Sequence, residues 1–330
     1  MKTVRFHEIG GPEVLVYEDV PDPVAGPGEL LVRVEAVGMN FSDILRRRGD
    51  PYPEPTPLPF TVGSEVAGTV AALGRGVLSP VVGTPVFVAA RTGGYAQYVV
   101  VPAANVIPLP KGIKPVQASA LVIQGLTALF SLRNAGRLAK GEVVLVEAAA
   151  GGVGSFAVQL AKLLGAGTVI AAASSEAKRA KALSLGADAT VDYTDPCWAD
   201  AVYALTGDRG ADIVLEMTGG DTLHRALDAL APFGRMVVYG LASGQSVTID
   251  PQRLVKPNQS VTGFYIGGYF AQPDLIKSAL AELVEHVQAG RIEIQIGSVM
   301  PLSRAADAHR LLEGRHSTGK LVLQPWEFDA

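Results

Sequence analysis

The segment from Val143 to Gly165 combines a strand, a turn of very small residues and a helix, and it constrains the fold more than any other part of the chain. The apolar run Val143–Val146 has the length of a strand that is buried on both faces. Apolar residues then recur with the spacing of one helix face, and Gly165 stands where a helix-ending glycine is expected. Small turn residues let the backbone approach a phosphate, and a helix N-terminus offers unpaired N–H groups and a partial positive charge. The pattern therefore predicts a pyrophosphate-binding turn made of Gly151, Gly152, Val153 and Gly154.

The same turn fits the G-x-G-x-x-G pattern with Ala149, Gly151 and Gly154 in the three glycine places. Such turns also join strands to helices for purely structural reasons, so the neighbouring elements must decide. Before about residue 121, short β-like runs alternate with Gly and Pro clusters, which is typical of a barrel-like or sandwich domain. From about residue 122, strands and helices alternate, which predicts a parallel, doubly wound sheet in an α/β protein.

This change in the pattern of secondary-structure elements predicts two domains. The first comprises residues 1–121 and is completed by residues 265–330, which we expect to return to it. The second comprises residues 122–264. Within the second, Asp195 followed by Pro196 predicts the start of a helix that runs to Leu205.

Composition excludes several classes of protein. The 330 residues carry a net charge of −4 and show no dense Lys/Arg face, which argues against a nucleic-acid partner. No stretch approaches 18 uninterrupted apolar residues, and the N-terminus lacks an apolar core, so neither a membrane span nor a signal peptide is expected. The single cysteine, Cys197, excludes an internal disulfide and favours a reducing, cytoplasmic setting.

Five stretches, in this order, resemble the medium-chain dehydrogenase/reductase superfamily, and the likeness is greatest to its zinc-independent quinone oxidoreductases, the group that includes zeta-crystallin. They are Val37–Asp43, Gly63–Gly68, Gln124–Ala128, Ala148–Gly154 and Gly319–Leu323. The resemblance implies an N-terminal GroES-like β-barrel-type domain and a Rossmann nucleotide-binding domain.

Departures from the zinc-dependent relatives predict that no metal is bound. Asn40 stands where those relatives have a Cys ligand, Ser64 where they have a His ligand, and no cysteine lies at or beside Gln124. Amide and hydroxyl groups are poor Zn²⁺ ligands beside thiolate and imidazole. None of the five histidines pair at metal-ligand spacing, and we expect each to lie on the surface or on a helix face.

The second strand of the α/β half is followed by Ala173, Ser174 and Ser175, with no acid that would bind a ribose 2′-hydroxyl as in NAD sites. Ser174, Ser175 and Lys178 suit a 2′-phosphate, which predicts NADPH as cofactor. The alternative is that a serine merely caps a helix and Lys178 is solvated.

Further roles are implied by the resemblance alone. Asn40 and Thr127 match positions near the nicotinamide, Tyr193 a tyrosine beside the adenosine phosphate, and Lys320 a basic residue that reaches the pyrophosphate. Tyr239 and Gly240 follow a sheet strand, at the edge where ligands bind. Tyr52 and Asn40 are the candidate donors to the acceptor oxygen. Tyr52 could also deliver a proton, although solvent could do so equally well.

Three functions remain open. The first is an NADPH-dependent reductase that transfers a hydride to a quinone or related α,β-unsaturated carbonyl compound without zinc or flavin. The second is an enoyl-thioester reductase of the same superfamily, and the third is an NADPH-binding sensor or structural protein without turnover. We also expect a homodimer, because the apolar segment Val261–Phe264 occupies a predicted sheet edge.

Overall fold

The computed structural model describes residues 1–326. The chain forms two compact units. The first contains Met1–Ile123 together with the described residues from Gln295 onward, and the second contains Gln124–Ile294.

Fifteen strands are present in the described residues. They are β1 (Lys2–Arg5), β2 (Val16–Asp19), β3 (Glu29–Gly38), β4 (Glu65–Leu73), β5 (Pro85–Ala89), β6 (Tyr98–Pro102), β7 (Ile107–Pro108), β8 (Val143–Val146), β9 (Thr168–Ala172), β10 (Ala189–Val191), β11 (Ala211–Glu216), β12 (Leu230–Val238), β13 (Ser260–Gly263), β14 (Ile296–Pro301) and β15 (Lys320–Gln324).

Ten α-helices occur in the same residues, with short 3₁₀ turns between some of them. They are α1 (Phe41–Arg48), α2 (Pro115–Ala118), α3 (Leu126–Phe130), α4 (Gly152–Leu163), α5 (Glu176–Ser184), α6 (Trp198–Leu205), α7 (Gly220–Asp228), α8 (Gln252–Val255), α9 (Pro273–Gln288) and α10 (Ala305–Glu313). Two π-helical segments, Leu121–Gly125 and Ser131–Ala135, flank α3.

The first unit contains a sheet of order β14-β15-β3-β4-β5-β7, and β6 also pairs with β3. All its pairs are antiparallel except β14 with β15. Side chains of β3 alternate between buried and partly exposed, so one face forms an apolar core of valine, leucine and phenylalanine. The GroES-like domain predicted from the sequence is confirmed.

The second unit contains a six-stranded parallel sheet of order β10-β9-β8-β11-β12-β13. The chain runs outward from β8 through β9 to β10, and then crosses to β11 on the other side of β8. The strand order therefore reverses between β8 and β11, and ligands of such sheets bind at the carboxyl ends of the strands at this point. The predicted Rossmann domain is confirmed, and β13 is an edge strand as expected.

The segment 265–294 belongs to the second unit, so its expected return to the first unit is wrong. Its helix α9 packs against α3, and the Tyr269 ring stacks on Phe130 with 4.8 Å between centroids. Arg133 forms a salt bridge with Glu282 of the same helix. These partners lie in the nucleotide-binding half, which explains why the segment stays there. Residues 327–330 of the predicted tail lie outside the described residues.

The predicted start of one helix is corrected. The helix predicted to start at Asp195 starts at Trp198, because the Asp195 carboxylate accepts the Cys197 N–H at 2.8 Å in a preceding turn. One helical segment within residues 1–326, Pro115–Ala135, is long and apolar enough to span a membrane by length and composition. However, 78% of its apolar window is buried inside the protein, as in a core helix.

Candidate cofactor site and active site

The glycine turn follows β8 and leaves the start of α4 uncapped. Ala148 has a positive φ of 46°, and its carbonyl oxygen accepts the Gly151 N–H at 2.8 Å. Helix α4 then begins at Gly152, and no side chain caps it. The first N–H groups of a helix have no partner within it, so the turn presents donors and the positive end of the helix dipole to an anion.

Glycine is required here for packing as well. A Cβ atom on Gly154 would collide with the Ala148 carbonyl oxygen, and one on Gly152 would collide with the Gln124 amide. Gln124 is buried and its Oε1 has no hydrogen-bond partner among the described residues. The packing explanation therefore applies, and Gln124 lies against the turn, whereas contact of these glycines with a pyrophosphate stays a prediction.

The N-terminus of α5 carries the residues predicted to bind a 2′-phosphate. Ser175 is exposed and is the N-cap, its hydroxyl oxygen accepting the Lys178 N–H at 3.4 Å. Ser174 and Lys178 are partly exposed. The neighbouring Arg179 donates to Asp192 at 2.6 Å and to the Ala173 carbonyl at 3.2 Å. The N-cap role left open by the sequence is thus real, and binding of the phosphate by these residues stays a prediction.

Two acidic side chains that sequence reasoning missed are buried at the carboxyl ends of β8 and β11. Glu147 and Glu216 expose no surface. Oε1 of Glu216 accepts the Thr218 N–H at 2.8 Å and the Gly219 N–H at 2.5 Å. Oε2 of Glu147 accepts the Met217 N–H at 3.5 Å. The pair therefore lies between the two strands where the sheet order reverses.

Burial disfavours ionisation of both carboxyl groups, and the charge of Glu216 further disfavours ionisation of Glu147. Burial, followed by the negative charge of Glu216, raises the pKa of Glu147 to about 8. Burial also raises the pKa of Glu216, although its bonds from the Gly219 and Thr218 N–H groups oppose the increase. At neutral pH the pair therefore holds a proton.

Other predicted residues of the second unit lie at the same edge or in the core. The backbone N–H of Tyr239 donates to the Glu216 carbonyl at 3.0 Å. Burial, and then the charges of Glu147 and Glu216 and the nearby Tyr193, raise the pKa of Tyr239. A Cβ on Gly240 would lie 3.0 Å from the Met217 carbonyl oxygen, so the chain approaches closely there.

The remaining predicted residues of this unit differ in exposure. Tyr193 is partly exposed and packs against the apolar cluster of the sheet, whereas Thr127 is buried in α3. The structure thus brings Tyr193 and Tyr239 together, and the roles implied by resemblance for these two and for Thr127 stay predictions.

In the first unit, Asn40 is bound to a buried ion pair. Its Oδ1 accepts the Lys320 ammonium at 2.9 Å, and the same ammonium lies 2.8 Å from Oε2 of Glu65. Lys320 and Glu65 expose no surface, and Asn40 is 6% exposed. Burial lowers the pKa of Lys320, while the Glu65 carboxylate opposes this shift. The expectation that Lys320 reaches a pyrophosphate disagrees with this geometry, because the ammonium is enclosed and already paired.

A second buried polar group surrounds Asp43. Its carboxylate accepts the Asn40 N–H at 2.9 Å and the Gly63 N–H at 3.2 Å, and it accepts the Tyr95 hydroxyl at 3.3 Å. Tyr95 is in turn 3.2 Å from Nε2 of His309. These bonds fix the start of α1 and hence the position of Asn40.

Burial raises the pKa of Asp43 to about 6. Burial, together with the positive charge of Arg47, lowers the pKa of His309 to about 3. His309 therefore stays neutral at physiological pH. It lies on a helix, as the sequence predicts, but on the face buried in the core of the first unit and not at the surface.

Tyr52 lies in the proline-rich loop that follows α1. The Arg46 guanidinium is 4.9 Å from the centroid of its ring and 4.2 Å from that of Phe60. Arg46 also donates to the Pro55 carbonyl at 2.5 Å. These contacts hold the loop, and Tyr52 remains partly exposed. Its predicted contact with the acceptor stays a prediction.

Within residues 1–326, no group of three or more His, Cys, Asp or Glu side chains is placed to hold a metal ion.

Comparison with known proteins decides the family. Residues 26–111 match the alcohol dehydrogenase GroES-like domain, and residues 152–285 match the zinc-binding dehydrogenase domain. The chain is 38% identical to quinone oxidoreductase of Pseudomonas aeruginosa over 98% of this chain and 99% of that protein. It belongs to the quinone oxidoreductases of the medium-chain dehydrogenase/reductase superfamily.

Two further members of the superfamily extend this comparison. A 2-haloacrylate reductase of a Burkholderia species is 35% identical over 97% of this chain and 98% of that protein. The crystal structure of Escherichia coli quinone oxidoreductase complexed with NADPH has 32% identity and a TM-score of 0.93, covering 98% of this chain and all of that one. That relative binds NADPH, which is the cofactor predicted for this chain from its sequence.

The residues that the sequence did not predict have one property in common. Glu147, Glu216 and Glu65 are acids at or beside the ends of apolar strands, and all three are fully buried. The sequence signal that could have identified them is an acidic residue next to a strand that is buried on both faces. Acids are rarely fully buried without a partner, so such a residue indicates a buried polar site.

Proposed function

We propose that this protein is an NADPH-dependent reductase that transfers a hydride to a quinone or related α,β-unsaturated carbonyl compound, without zinc or flavin. The observation that carries the proposal is the uncapped start of α4 at Gly152, at the point where the strand order reverses. The similarity to an NADPH-bound quinone oxidoreductase over nearly the whole chain supports it.

The residues of the second unit fit the parts of NADPH. The N–H groups of Gly152, Val153 and Gly154 would hold the pyrophosphate. Ser174, Ser175 and Lys178 would bind the 2′-phosphate, because no acid directly follows β9. When bound, NADPH supplies the hydride.

Asn40 would stabilise negative charge on the acceptor. Its Oδ1 is fixed by Lys320, and one N–H of its amide donates to the Gly38 carbonyl at 3.3 Å. An amide has two N–H groups, so the second is left for an acceptor oxygen. Such a donor lowers the barrier to hydride transfer when it is held in place before the reaction. Tyr52 or solvent would supply the proton.

We further propose that the enzyme needs no metal. The Lys320 ammonium already donates hydrogen bonds to the side-chain oxygens of Asn40 and Glu65. A second cation there would be repelled and would meet an amide and a carboxylate in place of thiolate and imidazole. Purified protein should contain well under one zinc per chain, and a chelator should leave turnover unchanged. Bound zinc in a one-to-one ratio, with loss of activity on its removal, would refute this proposal.

A panel of acceptors distinguishes this function from the two alternatives. NADPH oxidation should be rapid with a benzoquinone or an enone and slow with crotonyl-CoA. Preference for the thioester would favour an enoyl-thioester reductase. NADPH binding without acceptor-dependent oxidation would favour a sensor or structural protein. The named 2-haloacrylate reductase of Burkholderia supports an acceptor with an activated C=C bond.

We also propose a cytoplasmic homodimer. Edge strand β13 adjoins a surface pocket of about 580 Å³ whose lining includes Phe264, Tyr265 and Tyr269. Pairing β13 across a two-fold axis would cover both its free backbone groups and this aromatic surface. Light scattering at micromolar concentration should give the mass of a dimer, and a monomer mass would contradict the proposal.

A further inference from the structure

The buried carboxyl pair Glu147 and Glu216 has no role in the function proposed above. Each carboxyl group uses one oxygen to accept backbone N–H groups of the turn that follows β11. The other two oxygens, Oε1 of Glu147 and Oε2 of Glu216, accept no hydrogen bond from the described residues if both groups are carboxylates. Two adjacent buried carboxylates would repel each other and leave two acceptors unsatisfied.

A single proton removes both problems. Glu147 and Glu216 are neighbours across adjacent strands, because β8 pairs with β11 with Val146 beside Leu215, and the Glu147 N–H donates to the Leu215 carbonyl at 3.2 Å. A proton on Glu147 can be donated to Glu216, which satisfies an oxygen of each residue. Glu216 is the group that is ionised, and Glu147 the one that keeps the proton. The reason is that Oε1 of Glu216 accepts two backbone N–H bonds, at 2.8 and 2.5 Å, whereas Glu147 accepts one at 3.5 Å. The arrangement is therefore an acid bonded to a carboxylate.

This pair anchors two consecutive loops at the edge where the cofactor binds. The backbone of Met217–Gly219 is bonded to the pair, and Gly219 has a positive φ of 75° just before α7. The carbonyls of Met217 and Thr218 then accept the N–H groups of Ala242 and Ser243 at 2.9 and 2.8 Å. The loop after β12 is thus attached to the loop after β11, and that loop to the carboxyl pair.

We propose that Glu147 and Glu216 are positioning residues that share one proton, and that this proton holds the loops after β11 and β12 in the conformation that binds NADPH. Loss of the proton places a second charge in the pair, pushes the carboxylates apart and weakens the cofactor site. The proposal rests on binding of NADPH at this edge of the sheet.

Few other groups can produce the same pH dependence. Tyr239 approaches the pair from the end of β12, with Tyr193 on the segment after β10 as its other neighbour, and the pKa of Tyr239 is raised, so it stays protonated in the alkaline range concerned. The Thr218 hydroxyl lies near Glu147 and does not titrate in this range. Since burial raises the pKa of Glu147 to about 8, the loops are held at neutral pH and released above that value.

The test measures the dissociation constant of NADPH by fluorescence as a function of pH. In the wild-type protein it should be constant near neutral pH and rise toward tenfold per pH unit above about pH 8. Glu147→Gln keeps a donor to Glu216 that cannot ionise, so its dissociation constant should stay flat. Glu285→Gln, an exposed acid of α9 in the same unit, is the matched control and should behave as wild type.

An unchanged pH dependence in Glu147→Gln would overturn the proposal. If neither protein binds NADPH at any pH, the cofactor assignment itself fails, and the two failures are therefore distinguishable. Should the variant not fold, hydrogen exchange of the wild-type protein decides. The intrinsic rate of amide hydrogen exchange rises with pH, and the measured rates are corrected for this rise. The Thr218 and Gly219 amides should then lose protection above about pH 8. Constant protection would refute the proposal. A protonated-carboxyl infrared band at neutral pH should accompany these effects and vanish in Glu147→Gln.

Discussion

The ammonium nitrogen of Lys320 lies 2.8 Å from Oε2 of Glu65 inside the first unit, and neither side chain exposes any surface. The other carboxylate oxygen of Glu65 accepts the N–H groups of Val122 and Ile123 at 2.7 and 2.9 Å. One buried acid therefore joins the C-terminal strand β15 to the start of the π-helical segment after α2. Through Lys320 it also fixes Asn40.

Replacing Lys320 should be among the most destabilising single changes in the first unit. Lys320→Met leaves the Glu65 charge buried and unpaired, which costs about 3–5 kcal/mol. Urea unfolding measures this loss. Lys2→Met is the control, because Lys2 forms an exposed pair with Asp19 that is worth about 1 kcal/mol or less. Equal effects of the two substitutions would contradict the structural role given to the buried pair.

Lys178→Ala should weaken NADPH binding selectively. A charge-assisted bond to the 2′-phosphate is worth about 1.5–3 kcal/mol, and partial exposure reduces it, so we expect the Michaelis constant for NADPH to rise about tenfold. The constant for NADH should stay nearly unchanged. Lys181→Ala, later on the same helix, is the matched control. Equal losses with both cofactors would mean that Lys178 is structural, and wild-type use of NADH as well as NADPH would refute the assignment.

The buried neutral His309 should make the first unit sensitive to acid. Its pKa is lowered from 6.5 to about 3, so the unfolded chain binds an extra proton between these values. The contribution of His309 to stability is therefore fully present above pH 6.5 and falls, by up to about 1.4 kcal/mol per pH unit, as the pH decreases toward 3. His309→Gln should show a shallower dependence in denaturant unfolding at each pH. Identical slopes would show that His309 does not cause the acid sensitivity.

Two glycine substitutions in the turn after β8 should differ in severity. A Cβ on Gly154 collides with the Ala148 carbonyl oxygen, whereas one on Gly151 lies 3.1 Å from the same atom. Gly154→Ala should therefore lower both thermal stability and NADPH affinity, and Gly151→Ala should affect them less. Calorimetry and fluorescence titration measure the two quantities. A Gly151→Ala effect as large as that of Gly154→Ala would contradict the packing explanation.

Local sequence patterns predict the elements of both units well, because strand and helix periodicity is set by neighbouring residues. The run Val143–Val146, the glycine turn and α4 were predictable for this reason. Contacts between distant residues were not. Lys320 and Glu65 are 255 residues apart, and nothing next to Lys320 in the sequence shows that its ammonium is enclosed. Likewise the periodicity of α9 predicts a helix but not that its partner is α3 of the second unit.

Direct hydride transfer from NADPH to a conjugated acceptor can be followed by isotope transfer. Protein treated with a chelator and free of flavin would be supplied with an activated enone and with NADPH that carries deuterium at both C4 positions of the nicotinamide. One deuterium should appear on carbon in the reduced product, in proportion to the NADPH oxidised. NADPH oxidation no faster than in buffer, or a product without deuterium, would contradict it.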